Sequence, residues 1–436
     1  MIHSWETLGL HIPNLMLPKE GTDYFRWAVI ACDQYTSQPG YWAKVKEIVG
    51  DSPSTLNLIL PEVYLKTDQE DIIIESVQNK MQQYLSDGTL RTLKPGCILI
   101  KRTAEGRSHL GLVIALDLES YDFTHGSHSI VRPTEIVVPH RIPPRLKIRE
   151  GAPIECPHIL ILIDDPDRTV IEPLVNQPRE VIYDTDLMMD GGHITGSFIS
   201  EKHLDGVRQG LSVLFDESEE KYGKGKAFLM AVGDGNHSLA TAKAAWENLK
   251  QKLTPDEIED HPARFALCEI ANIHDEGLIF KSIHRVLFPK KNLSGMELVE
   301  KVVNYLNKAN GQAYLADSDY VAPEDVLNFS YITKERKGQI IIENPSWSLE
   351  VECLQRALNS INQEEDCFDI DYIHGKHATE ALALEKGNVG FLLPDESMSK
   401  LFYAVAVDGP LPRKTFSVGK ANEKRFYIEC KSITRA

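Results

Sequence analysis

Between Ala227 and Leu253 the chain switches from one periodicity to another within a few residues. Residues 227–232 are short and almost wholly apolar, the pattern of a strand buried on both faces. Gly233, Asp234, Gly235 and Asn236 follow, turn formers in succession. From Ser238 onward Leu239, Ala242, Trp246 and Leu249 recur near the 3.6-residue period, which predicts an amphipathic helix. A strand that turns straight into a helix leaves free N–H groups above the turn, together with roughly half an elementary charge from the dipole. That place seats a phosphate. The segment therefore points to a nucleotide or phosphoryl site without naming a reaction.

At 436 residues the chain exceeds one ordinary core, so two or three sub-domains are expected. The apolar fraction of 42% and charged fraction of 25% are those of a soluble globular protein rather than a fibre or a disordered tail. With 47 basic and 64 acidic residues the formal net charge is −17, which opposes nonspecific attachment to phosphate backbones. Nucleic acid is not an expected partner. No run approaches the ~18 apolar residues of a membrane span, and the opening residues lack a basic stretch followed by an apolar one. Seven cysteines (Cys32, Cys97, Cys156, Cys268, Cys353, Cys367, Cys430) are scattered and odd in number, without a CxxC, as in a reducing cytosol. The expectation is a cytoplasmic protein with no membrane partner.

Strands are predicted near 28–32, 57–60, 97–102, 110–118, 159–163, 181–185, 195–199, 266–272 and 401–407. Helices are predicted near 71–84, 201–214 and 294–307. Residues 131–158 are dense in Arg and Pro and read as an extended, loop-rich stretch. The fold class is α/β or α+β, with mixed sheets and flanking helices. The expected organisation is an N-terminal α/β region over 1–125, a core over 126–290 that carries the turn, and a C-terminal α/β region over 291–436.

Each candidate residue has a plain alternative. The turn is a mere connector if Asp234 or Asn236 serves only as an N-cap; a helix needs one cap, and the gathering of glycine and polar residues favours function. Asp234 is a candidate general base toward a hydroxyl, or a ligand for Mg²⁺ bridging phosphates. His237 is either structural or a neutral donor or acceptor, its protonation disfavoured by the helix dipole. Arg132 with Glu135 is either a surface ion pair of little value or a positioned pair, Arg132 clamping an anion and Glu135 orienting a hydroxyl or metal. Arg285, in an apolar segment, needs an anionic partner if buried. Lys414 reads by default as part of a solvated turn. Asp33 and Tyr35 end an apolar run, where α/β proteins place ligands. No GxxxxGK[ST], HExxH, GxSxG or GxGxxG is present.

Four blocks in order resemble the DUF1015 family. They are Gly233-Asp234-Gly235-Asn236-His237-Ser238; Val131-Arg132-Pro133-Thr134-Glu135 with Arg145 beyond; Asp275, Gly277-Leu278 and Ile283-His284-Arg285-Val286-Leu287; and Leu411-Pro412-Arg413-Lys414-Thr415-Phe416 with Lys420. The family's turn is similar to that of the nucleotide-binding fold of ParB-type proteins, sulfiredoxin and free-serine kinases, where an aspartate at the turn and a nearby glutamate serve catalysis. The resemblance implies a ParB/sulfiredoxin-like core with N- and C-terminal additions. It also implies ATP or ADP with Mg²⁺, a small-molecule substrate, and phosphoryl transfer to a hydroxylated metabolite such as a free amino acid.

On that reading Gly233, Gly235, Asn236 and Ser238 hold phosphate, Asp234, His237 and Glu135 are catalytic, and Asp234 also holds the metal; a homodimer is a further expectation. The chain departs from the family where Ser238 replaces an arginine and Asn236 a histidine. The missing arginine removes a bidentate phosphate fork, leaving Arg132, Arg285 or Lys414 to supply the charge. A non-catalytic nucleotide-binding switch, and a hydrolase or isomerase of a phosphorylated metabolite, stand as alternatives.

Overall fold

Alternating and apolar residues over 96–117 form a long antiparallel hairpin, Gly96–Ala104 with Arg107–Asp117, in register from Ile98↔Val113 to Ala104↔Arg107. The sheet around it grows from both edges of this hairpin. In the computed structural model, which describes residues 2–290, 293–309, 311–323, 326–385, 387–395 and 398–435, the chain forms two units. The first comprises Met1–Ile279 with Val418–Ala436, and the second Phe280–Ser417.

In the first unit the sheet runs Glu180–Leu187, Gly192–Ser200, Gly96–Ala104, Arg107–Asp117, then Phe265–Asn272. It continues through Leu160–Ile163 and Met230–Asp234 to Val131–Pro133, with Leu10–His11 added beside Arg107–Asp117. Phe265–Asn272 is buried along its whole length, as a central strand covered on both faces must be. It pairs antiparallel with Arg107–Asp117 and parallel with Leu160–Ile163. A division near residue 125 therefore falls inside one continuous sheet. Trp27, Trp42 and Trp246 are fully buried in this unit's core.

The second unit is built on a sheet ordered Gln312–Asp317, Lys337–Glu343, Leu327–Thr333, Val389–Leu392, Phe280–Pro289 and Phe368–His374. Helices Gly295–Ala309 and Glu350–Glu365 bury Leu298, Val302, Leu354 and Leu358. The protein is thus mixed α/β, with sheets flanked by helices.

Three local expectations are corrected. Residues 57–60 are not a strand: Thr55–Leu58 is a 3-10 turn whose cap Ser54 accepts from the Leu56 N–H. The stretch 131–158 contains the helix Ile142–Arg149, because Pro143 and Pro144 fall in its first turn, where no intrahelical N–H is needed. Residues 401–407 belong to the helix Met398–Val407; a short apolar run carries no period that separates the two structures.

Among the described residues no helix is long and apolar enough to cross a membrane. Cys32, Cys97, Cys156, Cys268 and Cys430 carry free thiols.

Candidate functional site

The strand Met230–Asp234 lies between Leu160–Ile163 and Val131–Pro133, so its carboxyl end lies beside the start of the first and the end of the second. The register shifts between Val232 and Asp234, and this irregularity turns the chain out of the sheet. Gly235 then takes φ +79, and a Cβ there would stand 3.1 Å from Ile159 Cα, so glycine alone suits the turn.

The helix Asn236–Lys250 starts with no side-chain cap. Asp234 Oδ1 accepts from the Gly235 N–H at 3.0 Å, and the Gly235 carbonyl accepts from Leu239 at 2.9 Å. No acceptor among the described residues meets the backbone N–H groups of Asn236 and Ser238. The helix start thus presents unsatisfied donors and the positive dipole end. Its other face is fixed by Leu239, Ala240, Ala242 and Trp246, all buried, with Trp246 Nε1 donating to Glu119.

The 131–138 segment is brought to the same turn. Val131–Pro133 runs parallel to the strand, pairing Arg132 with Ala231 and Pro133 with Val232. Thr134 Oγ1 donates to the Val232 carbonyl at 2.6 Å, and the Val138 N–H donates to His237 Nε2 at 3.2 Å. A ring that accepts at Nε2 is neutral with its proton on Nδ1. Glu135, half-buried, lies within this segment. Helix Ile142–Arg149 packs against Asn236–Lys250 and holds the segment in place.

Arg132 is turned elsewhere. Its guanidinium donates to the carbonyls of Ser129, Lys226 and Ala227 at 2.7, 3.2 and 3.3 Å and stacks over Phe228 at 4.9 Å. Those partners lie before the strand, not after it, and Arg132 is buried. It caps carbonyls rather than clamping an anion at the turn. Arg285 and Lys414 belong to the second unit. Arg285 is fully buried there, donating to Gln355 Oε1 at 3.1 Å and to the Ile283 carbonyl, with Tyr372 stacked at 5.1 Å. Lys414 is exposed, in a turn of positive φ closed by Thr415 on the Pro412 carbonyl.

Around Asp234 the structure gathers residues that no local pattern announced. Lys424 Nζ lies 3.0 Å from Asp234 Oδ2, with side chains 12% and 27% exposed. Lys424 arrives on the C-terminal tail, where Phe426–Tyr427 pairs with Val29–Ile30 and the Ala31 N–H donates to the Arg425 carbonyl. The same ladder sets Asp33, just past Val29–Ile30, beside the tail. His158, just before Leu160–Ile163, faces Asp33 Oδ2 at 3.6 Å through Nε2 and the Tyr427 hydroxyl at 2.6 Å through Nδ1. Glu62 and Arg145 form an ion pair next to them.

Burial works against charge on His158, but Asp33, with Asp234 and Glu62 behind it, more than offsets this and raises the ring's pKa. Burial likewise opposes ionised Asp33, and the charge and hydrogen bond of His158 reverse that, holding the carboxyl well below its usual range. Glu62 goes the other way, raised mainly by burial and further by Asp33, against the pull of Arg145. Of these residues Asp33 carried a sequence signal, its place at the end of an apolar run, and Arg145 belonged to one of the four family-like blocks. Lys424, His158 and Tyr427 are assembled by pairings between distant strands.

A mixed α/β protein whose uncapped helix start sits beside an aspartate–lysine pair is the class that fold and site define. The profile of the DUF1015 family, described as a protein of unknown function, matches residues 16–368, and the chain belongs to this family. No curated protein matches it.

Among solved structures the chain is similar to a free serine kinase mutant in complex with ADP, at 12% identity and TM-score 0.38 over 70% of this chain and 91% of that one. It is also similar to a conserved hypothetical protein from Pyrococcus furiosus (14%, TM-score 0.34, 68% and 90%). A third is SbnI with C-terminal truncation from Staphylococcus aureus (10%, TM-score 0.36, 70% and 82%).

Proposed function

We propose that this protein is a phosphotransferase that uses ATP or ADP on a small hydroxylated metabolite, such as a free amino acid. The observation that carries this reading is the uncapped start of helix Asn236–Lys250, with open N–H groups at Asn236 and Ser238 directly after the Asp234 carboxylate. Such donors, fixed before the ligand arrives, stabilise phosphoryl charge without reorganising.

In this mechanism the amides of Asn236 and Ser238 hold the phosphate. Asp234 keeps one oxygen on the Gly235 N–H, which fixes the carboxylate's orientation, and accepts the proton of the attacking hydroxyl. His237 acts as a neutral ring, held by the Val138 N–H, and Glu135 orients the hydroxyl from the adjoining segment. Mg²⁺ bound with the nucleotide would supply charge neutralisation on the phosphates. Asp234 fits as its protein ligand, because Mg²⁺ sites commonly combine one or two carboxylates with substrate phosphates and water. Among the described residues no group of three or more His, Cys, Asp or Glu forms a self-contained cage.

The test is a thermal-shift series with ATP, ADP, CTP and Mg²⁺, followed by turnover assays over a panel of hydroxylated metabolites. ATP or ADP should raise the midpoint in proportion to its preference for the folded state. Asp234→Asn should lower turnover about 10²- to 10⁴-fold, the range of a positioned general base. Undiminished turnover in that variant, or no midpoint shift with any nucleotide, overturns the proposal. Nucleotide binding without turnover would instead identify a switch protein.

A further inference from the structure

We propose that Lys424 is the phosphate-charge residue of this site, taking the place of the arginine that Ser238 replaces, with a nucleoside di- or triphosphate as its ligand. This rests on the reading above and assigns a residue that the turn motif does not contain. Ser238 carries no charge, Arg132 is committed to three carbonyls, and Lys424 Nζ sits 3.0 Å from the turn's own carboxylate. An ammonium only 12% exposed keeps little of its hydration, so an incoming phosphate gains more from it than from a surface lysine.

The backbone that carries Lys424 is held by buried groups. Arg102, 4% exposed, donates to the Lys424 carbonyl, to Asn422 O at 2.9 Å and to Gly191 O at 3.1 Å, and lies over the Phe426 ring at 5.1 Å. On the other side Arg425 pairs with Glu269 and, at 2.7 Å, with Glu429. Trp27 Nε1 donates to the Ile428 carbonyl at 2.9 Å. A flexible tail lysine would pay an ordering cost on binding; this one has its backbone fixed beforehand. Arg102 is on this account a positioning residue. Without ligand Lys424 is neutralised by Asp234. When phosphate arrives at the helix start, the same ammonium has a second anion within reach of its three N–H donors.

The experiment compares ATP, ADP, adenosine and inorganic phosphate by calorimetry on the full chain, for wild type, Lys424→Met and Lys424→Arg. Loss of the charge should weaken ATP and ADP about 10- to 100-fold, the range of one charged hydrogen bond, and leave adenosine unchanged. Lys424→Arg should restore most of the affinity. A structural role would weaken adenosine and ATP alike.

Because Lys424→Met also leaves Asp234 unpaired, Asp234→Asn/Lys424→Met is compared with Asp234→Asn alone; the lysine's effect on ATP should persist in that background. Equal ATP affinity with and without the lysine overturns this assignment and leaves the phosphotransferase reading standing. Wild type that binds none of the nucleotides removes both.

Discussion

Nδ1 of His158 lies 2.6 Å from the hydroxyl of Tyr427, two residues that meet only because the C-terminal tail returns to the first unit. The hydroxyl accepts from the Cys32 N–H at 3.2 Å and donates to Cys32 Sγ at 3.1 Å. Its remaining place is for a donor, which is His158 Nδ1–H. Nε2 lies 3.6 Å from Asp33 Oδ2, so a carboxylate within ion-pair reach favours the protonated form of the ring.

The linkage sign follows. His158 is raised, so its contribution to stability is complete below its unfolded value of about 6.5 and is lost as pH climbs through the folded one. Asp33 is lowered, so its contribution is complete above about 4 and is lost as pH falls through the depressed value. The midpoint difference between wild type and His158→Gln should therefore be largest near pH 6 and shrink toward pH 9. A difference independent of pH would contradict the charged ring.

Glu352 in the second unit has a separate titration. Its side chain is wholly buried at the third position of helix Glu350–Glu365, with Arg356 at 3.6 Å. Burial, reinforced by Asp408, raises it to about 7 against the opposing effect of Arg356. A raised carboxyl contributes fully below about 4.5 and loses that contribution as pH passes 7. Hydrogen-exchange protection of residues 350–365 should fall between about pH 4.5 and 7 and level off above. Glu352→Gln should remove this fall and stabilise the second unit by about 3 kcal/mol at pH 8. A fall unchanged in the variant would rule out Glu352 as its source.

Gly235→Ala tests the turn's geometry. A Cβ at φ +79 and 3.1 Å from Ile159 Cα is strained both locally and against the neighbouring strand. The cost should be about 1–2 kcal/mol, read by urea denaturation, and nucleotide affinity should drop with it. A variant as stable as wild type would mean the turn tolerates another conformation.

What the residues disclosed by themselves was local. The turn after Val232 was legible because glycine, aspartate and asparagine have few other uses in succession, although the strand starts at Met230, three residues later than the apolar run. The helices at 71–84 and 294–307 were legible from period alone and appear as Glu70–Ser86 and Gly295–Ala309.

The run at 401–407 misled because it holds too few residues to show a period. The prolines of 131–158 suggested a loop, since their tolerance in a first helical turn depends on where the helix starts. Arg132 and Arg285 read as free charges in the sequence, yet their carbonyl and amide partners are set by strand pairing and core packing that no spacing encodes. Lys424 stands 190 positions from Asp234 in the sequence, and their pairing depends on that of the tail with Val29–Ile30.

The most direct measurement of the central claim is an amide-resolved NMR titration of the ¹⁵N-labelled full chain with MgADP. The amides of Gly235, Asn236, His237 and Ser238 should show the largest shifts, saturating together with the thermal midpoint. Saturable binding that leaves those four amides unmoved would contradict a phosphate seated at the start of this helix.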